Sequence, residues 1–277
     1  MNISAATTLF ELARFDSQAL SFLTGSDEKE SSSFADILGM QTAAADGNGR
    51  NLGLRDPEAA YAMMTRINGY EVAFKAQFAE LSQMGEGVEE MEEVGRQLAS
   101  LDTTSTHAEI RRQLEGFVAE YNEWVDRFAP TVEQGGVLDD IQAAEISLYE
   151  LEQSVKNIFN GAADGVNGLG ALGIAIDPVS KRATLDTARL DGVLAENKRG
   201  AVSAIDEFSA NFAKSADLLN AEDNFIRHAL DNRGRAIEYI AGNLAGLQAE
   251  FGTGDAARPA GQVAQALAAY ERISGLA

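Results

Sequence analysis

The chain has no cysteine in its 277 residues, which excludes disulfides, thiolate metal sites and thiol catalysis together. Histidine is almost as scarce, with two residues, and there are only four prolines and one tryptophan. Basic residues are outnumbered: 22 Lys and Arg stand against 43 Asp and Glu, a formal net charge of −21. A surface of that sign repels phosphate backbones and anionic headgroups, so neither nucleic acid nor polybasic membrane docking is expected. No apolar run approaches the roughly 18 residues that read as a membrane span. The opening stretch from Met1 to Phe10 has no basic start leading into a long apolar core, so no cleaved secretory signal is expected.

What the chain does have is apolar periodicity, and at 45% hydrophobic residues it can build a core. Asp56-Pro57 places a capping residue before a proline at the first helical position. Tyr61, Met64, Ile67, Phe74, Phe78 and Leu81 then follow at helical spacing, predicting a helix to about Met84. Gly85-Glu-Gly87 is expected to break or kink it, with Val88, Met91, Val94, Leu98 and Leu101 continuing a narrower stripe. Thr106 and Glu109 have capping-box spacing. Ile110, Leu114, Phe117, Tyr121, Trp124 and Phe128 line one face until Pro130, where the helix should stop.

The next helix spans Leu138 to Phe159, with Asn160-Gly161 as its left-handed end. Further stripes run from Val202 to Leu219 and from Phe225 to Phe251, and Arg258-Pro259 begins a short alanine-rich helix. All four prolines are expected at element boundaries. The fold class is therefore mainly α: an elongated bundle of long amphipathic helices with one small β-hairpin. Its expected divisions are a mobile N-terminal arm over 1–55, a helical body over 56–251 and a short C-terminal helix within 252–277.

The hairpin, near 172–186, is the exception in this helical pattern. Ile174 and Ile176 make a short β-branched run, Asp177-Pro178 opens a turn, Ala183 to Leu185 can return, and Asp186 can cap a new helix. Ile174, Ile176, Leu185, Leu190 and Leu194 are its expected packing residues.

No constellation in the sequence has the spacing of a reaction centre. Gly168-Leu-Gly-Ala-Leu-Gly173 fits the dinucleotide pattern, but that motif needs a strand before it and a helix after it, and here the order is reversed. It reads as a flexible lead into the hairpin. Asp46-Gly-Asn-Gly-Arg-Asn51 is like a calcium loop, except that Arg50 occupies a ligand position and Pro57 the acidic twelfth. His107 and His228 lie on separate helices and read as solvated positions. Glu89-Glu-Met-Glu-Glu93 and Asp139-Asp140 read as solvated faces, with a Glu92–Arg96 pair four residues apart. Trp124 reads as core. No catalytic, cofactor-binding or metal-binding residue is assigned, no cofactor is expected, and the chain is not expected to be an enzyme.

Leu172-Gly-Ile174, Asp177, Leu185-Asp186, Leu190, Leu194 and Val202, with Phe117-Val118 and Tyr121-Asn122 upstream, carry a resemblance. Between Arg112 and Phe212 the sequence resembles the C-terminal region of the flagellar filament-capping protein, the hook-associated protein 2 family. Where that family has a glycine in the turn, this chain has Ser180-Lys181. The resemblance implies a non-enzymatic, self-assembling protein of the bacterial flagellum, exported without a cleaved signal. Its implied partners are sister subunits in a homo-oligomer, flagellin or other flagellar components. A rival reading of the same helices is a cytoplasmic adaptor or chaperone that holds a partner's amphipathic helix.

Overall fold

The computed structural model describes residues 48–157 and 165–275. Among them the chain is mainly α, with long helices packed together and a single two-stranded antiparallel hairpin. The elements in order are α1 (Pro57–Gln97), α2 (His107–Val132), α3 (Gln142–Lys156), β1 (Ile174–Ile176), β2 (Ala183–Leu185), α4 (Thr187–Asn220), α5 (Phe225–Phe251) and α6 (Gly261–Ile273). Two compact units result, one from the chain up to Glu80 together with Ala229–Ala277, the other from Leu81–His228. The borders fall within α1 and α5.

Three helix starts use the caps that the sequence displays. Asp56 accepts the Ala59 N–H at 2.9 Å, Thr106 the Glu109 N–H at 3.1 Å, and Asp186 the Arg189 N–H at 3.0 Å. Each satisfies an amide that has no partner within its own helix.

In the first unit, Met64, Ile67 and Phe74 of α1 bury themselves against Ile237, Ile240, Leu247 and Phe251 of α5. Tyr270 of α6 adds its ring edge-on to Phe78, with centroids 5.9 Å apart. Most of the expected arm lies outside the described residues; its last part is tied down here. Asn51 is buried, and its amide donates to the Ala249 and Glu250 carbonyls at 3.1 Å, satisfying oxygens at the end of α5. Arg50 pairs with Glu58 and stacks over the Tyr61 ring at 4.4 Å. Arg50 and Asn51, the described end of the calcium-like stretch, thus serve the fold.

The second unit is centred on Phe117, Phe208 and Phe212. Phe117 meets the other two edge-on at 5.2 and 5.3 Å, an arrangement that sets ring edges against ring faces. Trp124 is buried beside Phe128 at 5.6 Å, as its place in the stripe requires.

Several expectations are corrected. Gly85 and Gly87 neither break nor kink the assigned helix: α1 runs unbroken through both, for about 60 Å at 1.5 Å per residue. These glycines are instead points of close approach. A Cβ on Gly87 would lie 2.9 Å from the Phe128 ring and 3.0 Å from the Trp124 indole, and one on Gly95 would lie 2.5 Å from the Phe212 ring. This stretch of α1 also accepts two hydrogen bonds from α4: Asn220 donates to the Gly85 carbonyl at 2.7 Å, and Ser209 to that of Gly95 at 2.8 Å.

Pro130 does not stop its helix either, because it falls in the last turn and α2 continues to Val132. There the missing N–H removes one bond, to the carbonyl of the exposed Asp126, which water can satisfy. The following helix starts at Gln142 rather than Leu138: Asp140 takes a left-handed φ of +60°, so Leu138 and Ile141 are buried from a turn. Its expected end at Asn160-Gly161 lies outside the described residues. α4 carries a break with no expected counterpart, at Asn197 (φ −148°, ψ 63°). The Asn197 side chain accepts the Gly200 N–H at 3.0 Å and so caps the second segment from inside the helix.

Candidate functional site

The hairpin forms with Ile174 opposite Leu185, Ala175 opposite Thr184 and Ile176 opposite Ala183. Of the expected packing residues, Ile174, Leu190 and Leu194 are buried, while Ile176 and Leu185 are partly covered. Ile174, Ile176, Ala183 and Leu185 share the covered face of this two-stranded sheet, while Ala175 and Thr184 between them are exposed, as the alternation of successive strand residues requires.

The turn is built from Asp177. Its carboxylate accepts the N–H groups of Ser180 at 2.6 Å and Val179 at 3.0 Å. These donors, with Lys181 nearby, hold the Asp177 carboxyl below the usual range, because they favour its charged form. The turn closes through the Lys181 N–H donating to the Asp177 carbonyl at 2.9 Å, and Lys181 takes a left-handed φ of +61°. That is the conformation in which glycine costs least.

The glycine-rich lead is not flexible but packed. Leu169 and Leu172 have no exposed surface, and Gly173, at φ +96°, leaves room for the Asp186 carbonyl, which a Cβ would approach to 2.7 Å. Its own carbonyl accepts the Asp186 N–H at 2.9 Å, joining the entry to the hairpin with its exit.

Three successive residues of the return arm are each held from the helices. Asn122 of α2 grips Ala183 twice: its amide donates to the Ala183 carbonyl at 2.9 Å, and its oxygen accepts the Ala183 N–H at 2.7 Å. The side chain thereby continues the ladder along the free edge of β2, satisfying backbone groups that an edge strand otherwise exposes. Arg182 pairs with Asp126, one helical turn beyond Asn122, and that carboxylate strengthens the guanidinium's hold on its proton. Lys181 reaches Glu152 of α3 at 3.4 Å, and Lys156 pairs with the same carboxylate from the next turn.

This clamp borders a groove of about 330 Å³ between α2 and α3. Tyr121, Val125 and Ala129 of α2 face Leu148 and Tyr149 of α3 across it, and Glu152 with Lys181 closes one end. Tyr121 is 1% exposed, and burial, assisted by the Glu152 carboxylate, pushes its phenol well above the ordinary range. It stays neutral at any physiological pH.

The remaining sequence candidates do not gather here. His107 and His228 are exposed, as are Glu89, Glu90 and Glu93, while Glu92 pairs with Arg96 on one helical face. Among the described residues no three His, Asp or Glu side chains are placed to hold a metal ion, and no helix is long and apolar enough to cross a membrane. Sequence reasoning missed Asn122, Asp126 and Glu152 as clamp residues. Their only signal was a polar side chain beside a buried aromatic one, as in Tyr121-Asn122.

Among solved structures the chain is similar to a flagellar cap protein. The match is to the D1-D2-D3 domains of FliD from Escherichia coli, with a TM-score of 0.40 and 18% identity. It takes in 47% of this chain and 37% of that one, so the likeness is weak and partial. No protein-family profile and no curated protein matches the chain.

Proposed function

We propose that the chain is a non-enzymatic structural or assembly protein of the bacterial flagellum, exported from the cell to that structure. It acts by packing its helices against sister subunits, flagellin or other flagellar components. One observation supports the reading: residues of the sequence resemblance that lie far apart in the chain, Asn122 on α2 and Asp177, Leu185 and Asp186 of the hairpin unit, meet at one hairpin. Phe117 and Tyr121 are buried on the same helix as Asn122, which grips the hairpin's edge; Asp177 makes its turn, and Asp186 caps the helix that Leu190 and Leu194 bury. The polar groups of the clamp are spent on one another or on backbone, as in a part that keeps a shape.

Deleting the gene in its source bacterium tests this. The expected outcome is impaired swimming and abnormal filaments, together with protein in the medium of an export-competent strain and none in that of an export-deficient one. Normal motility with normal filaments overturns the reading. Protein confined to the cytosol while export is active favours the adaptor instead.

A further inference from the structure

The groove between α2 and α3 has three features that serve no purpose in the clamp. Its walls are apolar and open: Val125 is buried at the base, whereas Tyr149 is 59% exposed. The Tyr121 hydroxyl, on a side chain otherwise enclosed, has no hydrogen-bond partner among the described residues. The two ends also differ in charge. Glu133, at the carbonyl end of α2, and Glu145, in the first turn of α3, line one end, and neither has an ion-pair partner among the described residues. At the other end Glu152 is shared by Lys156 and Lys181, which leaves an excess positive charge.

We propose that this groove is a docking site for an amphipathic helix of another protein, with Lys or Arg in its last turn and Asp or Glu in its first. The walls are helix surfaces: Tyr121, Val125 and Ala129 repeat every four residues along α2, so they present a ridge that a third helix can straddle. From Tyr121 to Glu133 the groove runs for about 18 Å at ~1.5 Å per residue, or roughly three turns. The occupant therefore needs two or three large apolar side chains one turn apart.

Charge sets its direction. Its basic last turn meets Glu133 and Glu145, and its acidic first turn meets Lys181; this is also the order in which charges complement a helix dipole. The proposal does not depend on the flagellar assignment, because it rests on the groove alone.

Fluorescence anisotropy of the full chain with labelled helical peptides of about 14 residues tests it. One peptide carries leucines one turn apart with the proposed charge order, a second exchanges the charged ends, and a third scrambles the leucines. The first is expected to bind about tenfold more tightly than the second at low salt, and the third not at all. The Glu133→Lys, Glu145→Lys double variant should narrow or reverse the preference between the first two. Tyr149→Asp, at an exposed position that leaves the fold intact by circular dichroism, should abolish binding of both.

Equal affinity for all three peptides overturns the proposal, as does binding that is indifferent to Tyr149→Asp. A dimer of the chain that Tyr149→Asp dissociates also overturns it, since the groove would then belong to a second copy.

Discussion

Replacing Gly95 by alanine adds one methyl group to α1, and the outcome depends on two opposed effects. Within a helix, alanine is favoured over glycine by about 0.8–1.0 kcal/mol, because glycine loses more backbone freedom on folding. Against this, the new Cβ would stand 2.5 Å from Cδ1 and 3.2 Å from Cε1 of Phe212. That ring cannot retreat, being fully buried and held by Phe117 and Phe208, each with its centroid 5.3 Å away. Overpacking of this kind costs about 1–3 kcal/mol, so the net change should be a loss of roughly 0–2 kcal/mol.

Gly116 in α2 provides the control. It is exposed and a Cβ there meets nothing within 4 Å, so Gly116→Ala should stabilise by close to the full propensity gain. The two substitutions, in the same unit, should therefore shift stability in opposite directions. Urea unfolding followed by circular dichroism measures both, and in a thermal melt each kcal/mol corresponds to about 2–4 °C. A double-mutant cycle with Phe212→Leu should recover part of the Gly95→Ala loss. If Gly95→Ala stabilises the protein as much as Gly116→Ala does, the account of the α1 glycines as contact points is wrong.

Asn122→Ala should destabilise by about 1–3 kcal/mol, since it leaves the Ala183 N–H and carbonyl without their shared partner, and the Ala183 amide should lose hydrogen-exchange protection. Lys181→Gly should relieve a left-handed residue by about 1 kcal/mol, offset in part by the lost contact with Glu152, whereas Lys181→Val should destabilise clearly; chemical denaturation of the pair reads the difference. The Asp177 carboxyl is held low in the folded state, so its contribution is present above the unfolded carboxylate value of about 3.9 and disappears as pH falls through the folded one. Asp177→Asn should flatten that part of the acid limb in a stability–pH profile, and an unchanged limb would count against the turn's construction.

The sequence by itself determined what short-range physics governs. Helix starts follow from side chains that reach amides two or three residues away, so Asp56, Thr106 and Asp186 were legible as caps. Stripes at helical spacing marked which faces would be buried, and β-branched residues on either side of Asp177-Pro178 marked the strands, which form at 174–176 and 183–185.

Tertiary structure decided what depends on neighbours far along the chain. Gly85 and Gly87 looked like weaknesses because propensity counts only the glycine's own backbone; Asn220 and Ile226 beside Gly85, and the rings of Trp124 and Phe128 beside Gly87, make them contact points, and that benefit appears only once the helices meet. Asn122 and Ala183 are 61 residues apart, and Glu152 and Lys181 are 29 apart, so no local pattern could pair them. The groove is the same kind of fact. Each of its walls is an ordinary amphipathic face in the sequence, and only the placing of α2 beside α3 leaves Tyr149 uncovered and sets Glu133 beside Glu145 at one end.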